Sequence, residues 1–338
     1  MRAKPNPTIV QIVIMIRTEF NILSFAILLF VVFGNGSVAG QNKNKVASAP
    51  LAPEIIKSNL MVVDAAGKFV DSVSQADITI LENGIEQKVT YFSKKEPELD
   101  LALVVDNSGS MRTKLTQLSF IGKTIVANLT DSDESTLLRF VARDRITVEQ
   151  KWTRKKEQMY KAFDGLFVEG GQSAVADALY LSAQLMLDRE KQVKTRRKAI
   201  IILTDAEDRA SYYELTDTVN LLKNTDVQIF VLAFTDQLTD EPTSVNRKGK
   251  GKSIAENFAR RISVETSGIA YVFGAKYTKE NILDTIRSLM TELRSQYIVG
   301  YSPNDRKTQT PRSLVFTIAD GPNGEKRKAI ARDRIAPY

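Results

Sequence analysis

From residue 101 to about 295, apolar runs of strand length alternate with amphipathic segments of helix length. Of all features of the sequence, this alternation restricts the possible folds most strongly. The helical segments carry apolar residues three or four positions apart. Near-continuous apolar strands separated by helices are typical of a mostly parallel sheet with both faces covered. We therefore predict an α/β fold with a doubly wound, Rossmann-like sheet over residues 98–295. The strand-like runs are 101–105, 136–142, 146–152, 199–204, 227–234 and 269–273.

Shorter β-like segments lie on both sides of this block. In residues 78–92 the pair Asn83-Gly84 stands between two alternating segments, and Asn-Gly is typical of a two-residue hairpin turn. After Gln296 the β pattern returns, with a turn at 320–324. Each flank is too short to bury a core alone. We therefore expect 55–97 and 296–338 to pack together as a small antiparallel β unit, with the α/β domain inserted between them.

The N-terminus has the layout of a secretory signal. Arg17 precedes an apolar run at 22–33, and small residues that include Ser37–Ala39 follow it. We predict a signal peptide over 1–40, with Met15 as a candidate true start, and a flexible leader over 41–54. The mature protein is then exported to the periplasm, the cell surface or the medium. The run is shorter than the roughly 20 residues of a spanning helix, so contact with the membrane requires retention of the signal as an anchor.

The composition excludes several kinds of chemistry. The 338 residues include no histidine and no cysteine, which removes Ser-His-Asp triads, thiol catalysis, disulfides and zinc sites built on these residues. Carboxylates, hydroxyls, amides, lysine and arginine remain. The net charge is +7, but the basic runs at 194–198 and 246–252 contain no aromatic residue. We therefore expect no nucleic-acid partner.

Oxygen-bearing side chains follow several of the predicted strands. Asp106, Ser108 and Ser110 follow the first strand, Asp205 follows the fourth, and Ser173 precedes a helix. In the common strand order 3-2-1-4-5-6 the first and fourth strands are neighbours where the order reverses, so these loops meet at one crevice. Hydroxyls and two carboxylates suit a hard divalent cation. They favour Mg²⁺, with Mn²⁺ as an alternative, over Ca²⁺, which prefers more oxygens.

These residues carry a family resemblance. The segment DNSGS at 106–110 fits Asp-x-Ser-x-Ser, and together with Ser173 and the pair Thr204-Asp205 it resembles the metal-ion-dependent adhesion site (MIDAS) of von Willebrand factor type A (VWFA) domains. The resemblance covers roughly residues 99–295. The flanking β segments resemble a bacterial group of exported proteins built around this domain.

The resemblance implies a role for each candidate residue. Ser108 and Ser110 bind the metal directly, Asp106 and Asp205 act largely through bound waters, and Ser173 supplies a further hydroxyl. An Asp or Glu of a partner protein then completes the coordination, without catalysis. Two positions depart from the usual pattern, because serine stands at 173 where the family usually has threonine, and Ala206 stands where glycine is common.

Simpler interpretations of the same residues stay open at this point. Asp106 or Ser108 can cap a helix, Ser173 can be an N-cap and Asp205 can be a turn residue. Glu207 and Asp208 are expected at the rim of the site.

Three functions fit the pattern. The main hypothesis is an exported, cation-dependent protein-binding module for adhesion or complex assembly, which is not an enzyme. The first alternative is a structural envelope protein with a silent site. The second is a magnesium-dependent hydrolase or phosphotransferase with Asp106 as nucleophile. Such enzymes need a second acid two residues later, where Ser108 stands.

Overall fold

The computed structural model describes residues 55–66, 69–94, 98–193, 196–222, 225, 227–242, 249–294, 297–303, 312–331 and 334–335. The predicted signal peptide, the candidate start at Met15 and the leader lie outside the described residues. Within the described ranges, no helix has both the length and the apolar character needed to cross a membrane.

The described residues form two sets of elements, strands and helices, each numbered in chain order. The strands are β1 (Ile56–Asp64), β2 (Ile78–Glu82), β3 (Ile85–Gln87), β4 (Val89–Ser93), β5 (Leu99–Asp106), β6 (Glu134–Phe140), β7 (Ile146–Thr153), β8 (Arg197–Thr204), β9 (Gln228–Phe234), β10 (Ala270–Phe273), β11 (Tyr297–Tyr301), β12 (Arg312–Ile318), β13 (Arg327–Ala331) and β14 (Arg334–Ile335). The helices are α1 (Leu115–Ala127), α2 (Lys156–Asp164), α3 (Val175–Gln192), α4 (Leu215–Leu222), α5 (Gly251–Glu265) and α6 (Lys279–Arg294).

The central sheet has six strands in the order β10-β9-β8-β5-β6-β7. Every neighbouring pair is parallel except β6 and β7. Strands β5 and β8 lie side by side at the centre, with Val105 opposite Leu203, so their carboxyl ends reach the same edge. The first and fourth strands of the domain are therefore neighbours, and the predicted strand order is confirmed.

Helices cover both faces of this sheet. Along β5 the odd-numbered residues Leu101 and Leu103 belong to a core shared with α1, α2 and α6. The even-numbered Ala102 and Val104 belong to a second core shared with α3, α4 and α5. Both faces of the strand are thus buried, which is why its sequence is apolar without alternation. The doubly wound, mostly parallel α/β architecture is confirmed.

The flanking segments form two antiparallel four-stranded sheets. One has the order β13-β1-β11-β4 and the other the order β14-β12-β2-β3. In the first, the N-terminal strand β1 lies between two strands from after the α/β domain. The two sheets share one core, which contains Leu60, Ile80 and Tyr297. The predicted small antiparallel β unit is therefore present, and its strands come from both ends of the chain.

The hairpin between β2 and β3 has the predicted turn. Glu82 pairs with Ile85 across a two-residue loop, and both loop residues have positive φ angles, 50° at Asn83 and 81° at Gly84. These angles fit the type I′ turn that Asn-Gly favours. The strand after the turn, however, is interrupted at Lys88. It continues as β4 in the other sheet, so one alternating segment contributes to two sheets.

Helix α2 was missing from the sequence prediction. It has nine residues, and its buried apolar side chains are Met159 and Phe163. Two buried apolar residues four positions apart, among charged residues, are a weak periodic signal for a helix. The helix packs on the same face of the sheet as α1, where the Phe163 ring lies close to Gly122.

Candidate metal centre

The carboxylate of Asp106 lies at the centre of the crevice and is fully buried at the end of β5. Its Oδ2 accepts hydrogen bonds from Ser173 Oγ at 2.9 Å and from Thr204 Oγ1 at 2.7 Å. Its Oδ1 accepts the backbone N–H of Ser108 at 3.0 Å. All of these donors are neutral, so they orient the carboxylate without balancing its charge. Burial accordingly raises the pKa of Asp106 above its usual value.

Ser108 and Ser110 lie where β5 passes into a short 3-10 turn, Gly109–Lys114, that leads to α1. Ser108 occupies the N-cap position of this turn, but its side chain makes no capping hydrogen bond. Its hydroxyl oxygen instead lies 3.1 Å from that of Ser110. Ser108 is buried, whereas Ser110 is exposed. The two hydroxyls thus form a short line from the buried carboxylate of Asp106 towards the surface.

Ser173 does not cap helix α3, whose N-cap residue is Ala174. The N-cap interpretation of Ser173 is therefore wrong. Asp208 serves α3 instead, because its Oδ1 accepts the N–H groups of Val175 at 2.8 Å and Ala176 at 3.4 Å. Asp208 is exposed, as expected for a rim residue, and its side chain also stabilises the N-terminus of α3. The Ser173 hydroxyl is left to bond Asp106.

The glycine pair before Ser173 has a steric role. Neither Gly170 nor Gly171 has a positive φ, so a left-handed turn is not what requires them. A Cβ at Gly171 would lie 2.7 Å from Val141 Cγ1 and 2.6 Å from an Arg145 guanidinium nitrogen. A Cβ at Gly170 would meet nothing within 4 Å. Gly171 therefore lets the loop that carries Ser173 pack closely on the end of β6.

Asp205 follows β8 and is 4% exposed. Its Oδ1 accepts the N–H of Glu207 at 2.9 Å, so Asp205 does act as a turn residue. This role does not prevent its other carboxylate oxygen from facing the site. Burial, followed by repulsion from the charge of Asp106, raises the pKa of Asp205 to about 6, although a hydrogen bond from Ser110 acts in the opposite direction. The two carboxyls therefore interact within one buried site.

Ala206 has a φ of 61°, in the left-handed region where a side chain costs about 1–2 kcal/mol. This conformation explains why glycine is suited to the position. The backbone N–H of Ala206 donates to Thr204 Oγ1 at 3.0 Å, and this bond holds the turn.

The charges of Asp106 and Asp205 have no protein counter-ion among the described residues. Two basic side chains near the crevice already have acidic partners: Lys114 pairs with Asp236, and Arg209 pairs with Glu207. No group of three or more His, Cys, Asp or Glu side chains that could hold a metal occurs in the described part of the chain. A cation bound here would therefore depend on hydroxyl oxygens as well as on the two carboxylates. That donor set fits a hard divalent ion.

A cavity of about 150 Å³ adjoins the site. Ser110 and Asp205 contribute to its wall, so the cavity opens beside the candidate metal ligands. The remaining lining residues come from the 3-10 turn before α1, from the end of β9 and from the loops that follow β8 and β9: Met111, Lys114, Glu207, Arg209, Phe234, Gln237 and Leu238.

The structure therefore places all five predicted ligands, Asp106, Ser108, Ser110, Ser173 and Asp205, at one edge of the sheet. Two contributing residues were not assigned these roles from the sequence. Thr204 forms part of the Thr-Asp pair in the sequence pattern, and its position at the strand end beside Asp106 is a signal from which its supporting role could be predicted. The sequence gives no sign that Asp208 and Glu207 have different roles. Asp208 caps a helix that begins 33 positions earlier in the chain, and such a contact leaves no local pattern.

The family model for the von Willebrand factor type A domain matches residues 100–259. The chain therefore contains a domain of this family, as the sequence resemblance predicted. Domains of this family are generally non-enzymatic modules for protein–protein interaction, and they commonly bind a divalent metal at a MIDAS. The comparison with curated proteins found no match.

Several solved structures are similar to this chain. They include the conserved hypothetical protein BatB of Bacteroides thetaiotaomicron, with 16% identity, a TM-score of 0.44 and coverage of 57% of this chain and 99% of that one. An aerotolerance-related membrane protein of Bacteroides fragilis has 16% identity and a TM-score of 0.43, with coverage of 58% and 98%. A von Willebrand factor type A protein of Catenulispora acidiphila has 12% identity and a TM-score of 0.46, with coverage of 77% and 73%. At such low similarity these structures carry no information about function, and the assignment depends on the family match.

Proposed function

We propose that this protein is an exported, divalent-cation-dependent protein-binding module for adhesion or complex assembly. One observation carries the proposal: Asp106 and Asp205 are both buried, and neither forms an ion pair among the described residues. A buried charge without a partner costs several kcal/mol, so such a group either holds a proton or meets a cation. A bound cation relieves the desolvation of both carboxylates and the repulsion between them.

The chemistry of the donor atoms favours Mg²⁺, or Mn²⁺ in its place. Asp106, Ser108, Ser110, Ser173 and Asp205 would hold the ion, and the bound ion would supply a Lewis-acidic position for one further oxygen ligand. Two carboxylates and three hydroxyls leave room for water, which Mg²⁺ retains readily. Ca²⁺ fits less well because it takes six to eight oxygens.

An Asp or Glu side chain of a partner protein is the proposed further ligand. Ser110 is exposed, so a carboxylate from outside can approach this side of the site. The role of the protein is to orient: Thr204 and Ser173 fix the Asp106 carboxylate by donating to Oδ2. A covalent role for Asp106 is disfavoured because Ser108 occupies the position of the second acid that aspartyl phosphotransferases use.

The location of the protein is part of the same proposal. The apolar run at 22–33 and the small residues after it support export to the periplasm, the cell surface or the medium. Membrane contact is proposed only for a form that retains the signal as an anchor.

The proposal is tested by capture of envelope proteins on the immobilised chain, with Mg²⁺ and with chelator. We expect partners that are released by chelation, return with Mg²⁺, and are lost with Ser110→Ala. Ser253→Ala is the matched control, because Ser253 is also exposed but lies on α5, where it bonds Asp240. Partners that bind equally in chelator and to Ser110→Ala would point to a structural envelope protein with a silent site.

A further inference from the structure

We infer that the cavity beside the candidate metal ligands is a specificity pocket for an uncharged, medium-sized apolar side chain that neighbours the partner's metal-binding Asp or Glu. This inference rests on the proposed function, because it concerns the residue next to the carboxylate that completes the metal site. It adds a second recognition element, which selects among acidic partners.

The size of the cavity favours a single side chain over a drug-sized molecule. Pockets for drug-sized ligands usually have volumes of about 300–1,000 Å³. This cavity has about 150 Å³, which is room for one side chain. Because Ser110 and Asp205 belong both to its wall and to the candidate ligand set, the residue beside the metal-bound carboxylate is within reach of the cavity.

The charges that line the cavity are already paired, and this argues against a charged occupant. Lys114 Nζ lies 2.7 Å from Asp236 Oδ2 and 3.2 Å from the Tyr277 hydroxyl. Glu207 and Arg209 form an ion pair with each other. Asp205 is committed to the candidate metal. An incoming lysine, arginine or carboxylate would therefore be desolvated without a free partner in the lining, which is unfavourable.

The apolar part of the lining gives the occupant its contacts. Leu238 is half-buried and is the apolar lining residue with accessible surface, while Met111 and Phe234 lie fully buried beneath it. The Phe234 ring is held in place by stacking on Phe273, with ring centroids 4.9 Å apart. A leucine, isoleucine or methionine of the partner would place its side chain against Leu238, which rests on this ordered core. Leu238 is the lining residue best suited to substitution, because it is apolar and partly exposed and is neither a candidate metal ligand nor part of an ion pair.

The experiment selects binders from a displayed library of random peptides on the Mg²⁺-loaded protein, with release by chelator. We expect the selected peptides to share an Asp or Glu with a leucine, isoleucine or methionine beside it. Replacement of that apolar residue by glycine in a synthetic peptide should weaken binding about tenfold, the effect of a small apolar group in a fitted pocket. In Leu238→Trp, which fills the cavity, the acid should still be selected but the apolar preference should disappear.

The possible results separate this inference from the proposed function. An acidic residue with no preference at its neighbours, or the same apolar preference in Leu238→Trp, would overturn the pocket and leave the metal-dependent function standing. A preference for a charged neighbour would also overturn it. Peptides selected equally with and without chelator would contradict the proposed function and the pocket together. Leu238→Ala provides a second check, because a larger cavity should shift the preference towards aromatic side chains.

Discussion

The hydroxyl of Thr204 donates a hydrogen bond to Asp106 across two adjacent parallel strands, with 2.7 Å between Oγ1 and Oδ2. The same oxygen accepts the N–H of Ala206 at 3.0 Å. One fully buried hydroxyl thus joins the strand end that carries the carboxylate to the turn that carries Asp205. The orientation of both candidate ligands depends on this connection.

Removal of the Thr204 hydroxyl should lower stability and weaken metal binding together. Thr204→Val keeps the shape of the side chain but removes one hydrogen-bond partner from the Asp106 oxygen and one from the Ala206 N–H. The free energy of unfolding should fall by about 1–3 kcal/mol. Thr204→Ser, which keeps the hydroxyl, is the matched control and should lose much less. Chemical denaturation and calorimetric titration with Mg²⁺ measure the two effects. Equal behaviour of the valine and serine variants would show that the bond has no such role.

Alanine at Gly171 should harm the site, whereas alanine at Gly170 should not. The new Cβ at 171 would come within 2.7 Å of Val141, which is fully buried, so the loop that bears Ser173 must move. Gly170→Ala is a control one residue away with open space around its Cβ. We expect reduced Mg²⁺ affinity and a lower melting temperature for Gly171→Ala alone. Similar losses of Mg²⁺ affinity and melting temperature in both variants would contradict the steric role of Gly171. They would indicate instead that the loop needs flexible residues at both positions.

Asp205→Asn should stabilise the metal-free protein and remove the benefit of metal. The pKa of Asp205 is raised to about 6 in the folded protein, whereas it is about 4 in the unfolded chain. Between these pH values the carboxyl is protonated in the folded protein and ionised in the unfolded chain. The free energy of unfolding of the metal-free wild type should therefore fall as the pH rises from about 4 to about 6. Asparagine cannot ionise, so the variant should be the more stable above pH 6, by on the order of 3 kcal/mol.

Denaturation of both proteins in chelator across this pH range tests the prediction. The two stability curves should approach each other near pH 4 and separate as the pH rises. A metal-free variant that is less stable than the wild type at neutral pH would mean that the Asp205 carboxylate serves a structural role without metal.

The architecture was predictable because its signals are local and strong. Strand β5 is buried on both faces, so its apolar run could be identified without knowledge of its neighbours. Asn83-Gly84 defined a turn through its own backbone preferences. Helix α2 was missed because only two of its side chains are buried. The break at Lys88 was missed because the change from one sheet to the other depends on the packing of distant strands.

The candidate ligands were found from residue type and position, whereas their supports were not. Strand ends at a reversal of strand order locate Asp106 and Asp205 from topology alone. The hydrogen bond that Val175 N–H, at the start of α3, donates to Asp208 and the close packing of Gly171 on Val141 join segments far apart in the sequence. Such contacts arise from the folded structure and leave no periodic or spacing signal.

The most direct test of the central claim is the melting temperature of the wild type with Mg²⁺ and with chelator, beside that of Asp106→Ala. Metal at a hundred times its dissociation constant should stabilise the wild type by about 2.7 kcal/mol. The same addition should leave Asp106→Ala unchanged, while the exposed control Asp131→Ala should respond like the wild type. A wild type that melts at the same temperature with Mg²⁺, with Mn²⁺ and with chelator would contradict the claim that Asp106 and Asp205 hold a divalent cation.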